Sequence, residues 1–279
     1  MGNLHYLFNI EYYSGWSHEH FAKCNDAIVK QQYKSGELIP PFVNVSSFQL
    51  QTAYPGLLIG VGNVHEAGRG VSEKEEEPAE IKLGFTLDYV TGLPLIPGST
   101  VKGALHGAFA NYEAYVQNIL TERGATVVDM DTLTRYIFGD PNPGSCVFYD
   151  AIPVKPGQGD RLFGLDNITP HNKPYDRTKD DGGAEYQMNG LKNPIPLTML
   201  KVIPGVTYLF RFDLSALDRD GIIDSKIASC TFSEIVSCAF KEILSDIGIG
   251  AKTNVGYGVL TECAEQEVSA TWLVPYSGR

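Results

Sequence analysis

The chain is short of what several function classes require. Its 279 residues hold five cysteines, Cys24, Cys146, Cys230, Cys238 and Cys263, and no two stand at C-x-x-C spacing. An odd, unspaced set argues against a disulfide framework and against a cysteine zinc site. It fits a reducing compartment, and the expected location is cytoplasmic. Basic charge is also scarce: 22 Lys and Arg stand against 33 Asp and Glu, for a net charge of −11. Free-standing nucleic-acid binders are usually basic, so the balance counts against a broad basic face but not against a local basic groove. No apolar run approaches the ~18 residues of a membrane span. The opening MGNLHYLFNIEYY has no basic segment before an apolar core, so no signal peptide is expected. Neither G-x-S-x-G nor H-E-x-x-H occurs, which removes two common hydrolase signatures.

What is present is enough apolar residue, 43% of the chain, for a packed core. The stretch LPLIPGSTVKGALHGAFA, Leu93 to Ala110, organises the rest. Pro94 and Pro97 keep the chain extended ahead of Gly98. Ser99 reads as the N-cap of a helix reaching about Arg123. Val101, Ala104, Leu105, Ala108, Phe109 and Tyr112 form its apolar stripe. Gly103 and Gly107 lie one turn apart, where another backbone can come close. First-turn amides carry partial positive charge, and Lys102 sits among them, so Gly98, Ser99, Lys102 and Gly103 suit a phosphate. The bland alternative is a capped core helix with a solvated lysine.

The remaining elements follow in order. Leu4 to Tyr13 reads as a strand and Ser17 to Tyr33 as a helix, with His18 and His20 solvated in its first turn. Phe42 to Gln51, Leu57 to Val61 and Ile81 to Tyr89 read as strands. Residues 63–80 form a glycine-rich, then acidic insertion containing His65 and Arg69. Thr132 to Phe138 is a short helix, and Ser145 to Val154 a strong strand. A second insertion, 155–193, is polar and irregular, and long insertions are often functional. Ile195 to Val202 and Val206 to Leu214 read as strands. Thr231 with Glu234 makes a capping box for the best amphipathic helix in the chain. Gly248 ends that helix, and Val259 to Cys263 closes the chain of elements. Without its insertions the order is β-α-β-β-α-β. The fold class is therefore α+β, a ferredoxin-like or RRM-like core over about 57–264 in a single domain with an N-terminal extension, 1–40.

Gly250 to Gly258, GAKTNVGYG, is the second candidate site. It is no P-loop, because Ala251 rather than Gly precedes Lys252. It is no dinucleotide fingerprint, because Thr253 stands where a glycine is needed and a helix precedes it. It offers backbone at Gly250, charge at Lys252, hydrogen bonds at Thr253 and Asn254, and a stacking ring at Tyr257. Two lysine-bearing glycine turns that lie near each other would suit a phosphodiester chain. For catalysis the candidates are His65, His106 and His171 with Asp26, Asp140 and Asp150, and no two form a recognisable pair. Asp150 is expected to cap a turn, and His106 to be polar filling on the outer helix face.

Three stretches together carry a resemblance. LPLIPGSTVKGALHGAF is similar to the helix-opening motif of the RAMP superfamily, the RNA-binding proteins of CRISPR effector complexes. IGIGAKTNVGYGVL resembles its C-terminal glycine-rich loop, and FGDPNPGSCVFYDAIPV its "FG, gap, G, strand, DA" segment. DNITPHNKPY and NPIPLTMLKVIPGVTYLFRFDL are most similar to the sixth RAMP subunit type of type III-B (Cmr) complexes. The resemblance implies a ferredoxin-like fold and a non-catalytic subunit near the 3′ end of the CRISPR RNA, in antiviral defence. It implies CRISPR RNA, target RNA, RAMP backbone subunits and small helical subunits as partners, without cofactor, metal or membrane. Arg69, His171 and Lys173 are then mobile RNA contacts beside Gly98, Ser99, Lys102, Gly103, Gly250, Lys252, Thr253, Asn254 and Tyr257. The rival expectation is a RAMP endoribonuclease acting through His106.

Overall fold

A computed structural model describes residues 3–33, 45–65, 80–125, 127, 129–139, 144–168, 175–177, 186–188, 197–219 and 230–263. The chain opens with helices α1 (Leu4–Asn9) and α2 (His18–Val29). Strand β1 (Ser46–Thr52) follows, then α3 (Gly98–Asn111), α4 (Glu113–Glu122) and α5 (Met130–Phe138). Next come β2 (Val147–Phe148), β3 (Ile152–Lys155), β4 (Phe163–Ile168), β5 (Tyr175–Arg177), β6 (Tyr186–Met188), β7 (Leu197–Val202) and β8 (Thr207–Asp213). The last elements are α6 (Ser215–Arg219), α7 (Phe232–Ile247) and β9 (Leu260–Glu262). The fold is α+β. Among the described residues no helix is long and apolar enough to cross a membrane.

The main sheet has the order β2-β8-β1-β9, with β3 also on β8, and every pair is antiparallel. Its register sets Phe48 opposite Phe210 and Leu50 opposite Tyr208, so these side chains share one face. Helix α7 covers that face. Phe240 on α7 lies within 6.3 Å, ring centre to ring centre, of Phe109, Phe138, Phe148 and Phe212. The capping box at Thr231 and Glu234 is present, and Gly248 ends α7 as expected.

Five readings of the sequence need correction. The N-terminal residues are helical, not a strand: the buried side chains are Leu4, Phe8 and Tyr12. Leu4 and Phe8, four apart, lie on one face of α1, whose start Asn3 caps, and Tyr12 lies in the 3-10 turn that follows, Glu11–Ser14. The first strand of the sheet is β1, so the core begins before Leu57. Leu57, Leu58 and Ile59 are all buried and pair outside the main sheet, as does Ile81. The long central helix breaks at Tyr112, whose backbone leaves helical geometry. Tyr112 is exposed rather than in the stripe, and the break turns Val116, Ile119 and Leu120 into the core. Arg123 and Tyr115 then reach α7 at Glu242 and Asp246. The strand expected at Ser145 to Val154 is two short pieces: Tyr149 N–H still donates to the Arg211 carbonyl on β8, but Ala151 pairs with Ile96, before α3. His20 is not simply solvated, since its Nε2 lies 3.1 Å from the Tyr12 carbonyl.

Candidate nucleic-acid interface

The helix-opening turn is built from two segments. Ile96 and Ala151 exchange both backbone hydrogen bonds, at 3.0 and 2.9 Å. This pairing brings Asp150 to the end of α3, where its Oδ1 accepts the Gly98 N–H at 2.7 Å. Asp150 thus caps a turn, as expected of it, and replaces Ser99 as the cap. The N-cap residue is Pro97, which offers no side-chain cap. Gly98 is buried, and a Cβ there would lie 2.2 Å from the Phe148 carbonyl oxygen. Its role is close packing, with its amide already engaged by a carboxylate. What faces outward is Ser99 and Gly103, with Lys102 half-buried beside them. A Cβ added at Gly103 would meet nothing within 4 Å. Gly103→Ala should therefore stabilise the free protein by about 0.5–1 kcal/mol, the helix-propensity gain. If Gly103 leaves room for an RNA backbone, RNA affinity should fall while the melting temperature rises. A gain in both would remove it from the interface.

The second turn follows α7. Gly250, Lys252 and Asn254 are exposed, and Thr253 is half-buried at the start of a single 3-10 turn, Thr253–Val255. Lys252 itself has a positive φ of 59°. A lysine in left-handed backbone is uncommon and is a pointer to function rather than to packing. The loop is sewn down by Ala251 N–H to the Leu58 carbonyl at 2.9 Å and by Gly258 N–H to the Gly56 carbonyl at 2.8 Å.

The two turns are related through a layer of extended backbone. Beyond Leu58, the Ile59 carbonyl accepts from Thr86 N–H at 3.1 Å, and the Thr86 carbonyl from Leu95 N–H at 3.2 Å. Three backbone hydrogen-bonded steps therefore link Ala251 to Leu95.

Tyr257 has a different role from the one its position in the loop suggests. Its hydroxyl donates to Asp166 Oδ2 at 2.7 Å, and Lys201 Nζ lies 2.6 Å from the same oxygen. The Lys201 amine also lies over the Tyr257 ring, 5.9 Å from its centre. Asp166 and Lys201 stand on β4 and β7, which form a two-stranded antiparallel sheet, so this clasp ties the glycine loop to that sheet. Burial works against the charged Asp166, but the Lys201 and Tyr257 hydrogen bonds outweigh it and hold the carboxyl below its usual range. Burial, then the Asp166 carboxylate, pushes the Tyr257 hydroxyl up. A depressed carboxyl contributes stability above its unfolded value, near pH 4, and loses it as pH falls through the folded value. Amide exchange at Tyr257 and Gly258 should therefore be flat from pH 7 to about pH 5 after correction for intrinsic rates. It should rise in acid, and Asp166→Asn should abolish the acid-specific step. A step near pH 6 would contradict the clasp. Neither Asp166 nor Lys201 announces itself in the sequence, because their partner is 91 residues away from Asp166.

The other candidates separate. Arg69, His171, Lys173 and Asp140, with the acidic run up to residue 79, lie outside the described residues. Both ring nitrogens of buried His65 meet carbonyls, those of Ile81 and Phe8, at 2.7 and 2.8 Å, so it ties α1 to the body. Asp26 is exposed and paired with Lys30. His106 is exposed, stacks on Phe138 at 5.1 Å and lines a cavity of about 230 Å³ with Glu113, Asp131 and Arg135. Among the described residues no three His, Cys, Asp or Glu side chains form a group that could hold a metal ion.

The sequence model of the RAMP superfamily matches residues 49–261, a span that includes both glycine turns and the clasp. The chain belongs to the RAMP superfamily. A curated relative, "CRISPR system Cmr subunit Cmr6" of Pyrococcus furiosus, is 31% identical over 138 residues, 48% of this chain. That match spans 35% of the relative's length. Among solved structures, a chain of the type III-B Cmr-beta complex bound to cognate target RNA has a TM-score of 0.48 at 22% identity. The likeness covers 79% of this chain and 58% of that one. Crystalline Cmr6 from Pyrococcus furiosus has a TM-score of 0.37 at 19% identity, over 79% of this chain and 99% of that one. For this RAMP protein, the candidate residues left at least partly exposed are Ser99, Lys102 and Gly103 on one turn and Gly250, Lys252, Thr253 and Asn254 on the other.

Proposed function

We propose that the protein is a non-catalytic, cytoplasmic RNA-binding subunit of a type III-B (Cmr) RNA-guided complex, near the 3′ end of the CRISPR RNA. The observation that carries the reading is the pair of lysine-bearing glycine turns within one RAMP match, joined by a layer of hydrogen-bonded backbone. Lys102 and Lys252 would each hold a phosphate, with backbone amides and Thr253 and Asn254 beside them. The Cmr6 relative supports the choice of complex. Target RNA, RAMP backbone subunits and small helical subunits are the further partners of this reading. The sheet order β2-β8-β1-β9, with α3 and α7 as the crossing helices, supports a ferredoxin-like core carrying insertions.

The test is binding of an end-labelled, guide-like single-stranded RNA at two salt concentrations. The same samples are then run on a denaturing gel, with magnesium and with EDTA. The reading expects affinity that weakens with salt and RNA that stays intact. The cavity beside His106 favours the rival, an endoribonuclease. Discrete products that vanish in His106→Ala would establish it and overturn the non-catalytic role.

A further inference from the structure

We propose that Tyr54, and not Tyr257, is the ring on which a base of the bound strand stacks. This rests on the RNA-binding reading above. Tyr257 is half-buried, its hydroxyl is held by Asp166, and the Lys201 amine lies over its ring. Tyr54 is 84% exposed, the most exposed of the large apolar side chains among the described residues. It stands in the turn after β1, and that turn runs alongside the glycine loop. Ala53 N–H donates to the Val259 carbonyl at 2.9 Å, and Gly258 N–H to the Gly56 carbonyl at 2.8 Å. Between these two contacts, a Cβ on Gly256 would lie 3.5 Å from Pro55 Cδ. Tyr54 is close enough to Tyr257 to add to the upward shift of its hydroxyl. The ring therefore stands at the edge of the loop that exposes Lys252 and Asn254, with Val255 also 69% exposed.

An aromatic side chain this open leaves its apolar ring in water, and a nucleobase can cover it. Stacking tolerates any base, because every base has a π face. That suits a strand whose sequence varies while its backbone contacts do not. A protein partner could also cover the ring. The neighbouring Lys252 and the exposed loop backbone favour a phosphodiester ligand over an apolar protein surface.

The experiment measures single-stranded RNA affinity of the full chain for wild type, Tyr54→Ala, Tyr54→Phe and Lys252→Ala, each with intact RNA and with RNA made abasic throughout. Tyr54→Ala should weaken binding of intact RNA about tenfold and leave the salt slope unchanged. Tyr54→Phe should retain wild-type affinity. On abasic RNA the difference between wild type and Tyr54→Ala should vanish, while Lys252→Ala should still weaken binding. A Tyr54→Ala protein that binds intact RNA like wild type, with Lys252→Ala impaired, overturns the stacking proposal and leaves the RNA-binding reading standing. It would assign the ring to a protein contact. No effect of either variant, or no binding by wild type, overturns both. An equal loss on intact and abasic RNA would make Tyr54 a structural support of the loop and would also overturn stacking.

Discussion

Gly258→Ala is expected to cost about 3 kcal/mol or more of stability, the largest loss from any one methyl group in the glycine loop. Gly258 has φ of +75°, and an added Cβ would lie 1.8 Å from the Ile249 carbonyl oxygen. Left-handed backbone alone costs an L-residue about 1–2 kcal/mol. The neighbour cannot withdraw freely. Ile249 N–H donates to the Gly258 carbonyl at 2.9 Å, and Gly258 N–H to the Gly56 carbonyl at 2.8 Å. Any movement that relieves the clash breaks these bonds, at about 1–3 kcal/mol for each buried group left unpaired. Gly256→Ala is the control. Its φ is +93°, but its Cβ would meet only Pro55 Cδ, at 3.5 Å, an ordinary contact. It should lose about 1–2 kcal/mol, the backbone cost alone. Urea unfolding of both variants checks the contrast. Equal losses would mean that the close approach at Gly258 is not what shapes the loop.

The second large effect is on RNA. Lys102→Glu combined with Lys252→Glu should weaken single-strand binding about 100-fold. An exposed ion pair contributes up to about 1 kcal/mol, and reversing the charge replaces attraction with a similar repulsion. That is on the order of tenfold per lysine and about 100-fold for the pair when the two contributions add. The salt dependence is the sharper readout. Each lost phosphate contact on a single strand removes about 0.7 from the slope of log affinity against log salt, so the pair removes about 1.4. The half-buried Lys102 and the exposed Lys252 should contribute similar slopes, because counterion release depends on charge and not on ring or chain packing. Normal affinity and slope in the double variant, with a normal unfolding curve, would make the protein a scaffold that touches no RNA through these turns.

Much of this molecule follows from local rules. The capping box at Thr231, the apolar stripe of α7 and its glycine stop are decided within one helix, so periodicity finds them. The turn at the second glycine loop is readable for a related reason: turn residues impose their geometry on their neighbours. The helix at Leu4 misleads because Leu4, Tyr6 and Phe8 alternate like a strand. Only the burial of Leu4 with Phe8, while Tyr6 stays exposed, reveals the spacing of four.

The sequence by itself determined the α+β composition, the placement of both major helices, and the two lysine-bearing turns that mark a RAMP chain. Tertiary structure decided which atoms of those turns remain available. Asp150 takes the Gly98 amide from 52 residues away, and the Asp166 and Lys201 clasp takes Tyr257 from the far side of the chain. It also left Tyr54 open at the loop's edge. The physical reason is common to all of these. A hydrogen bond or an exposed ring depends on what the folded chain brings alongside, and partners distant in sequence leave no period or motif to read.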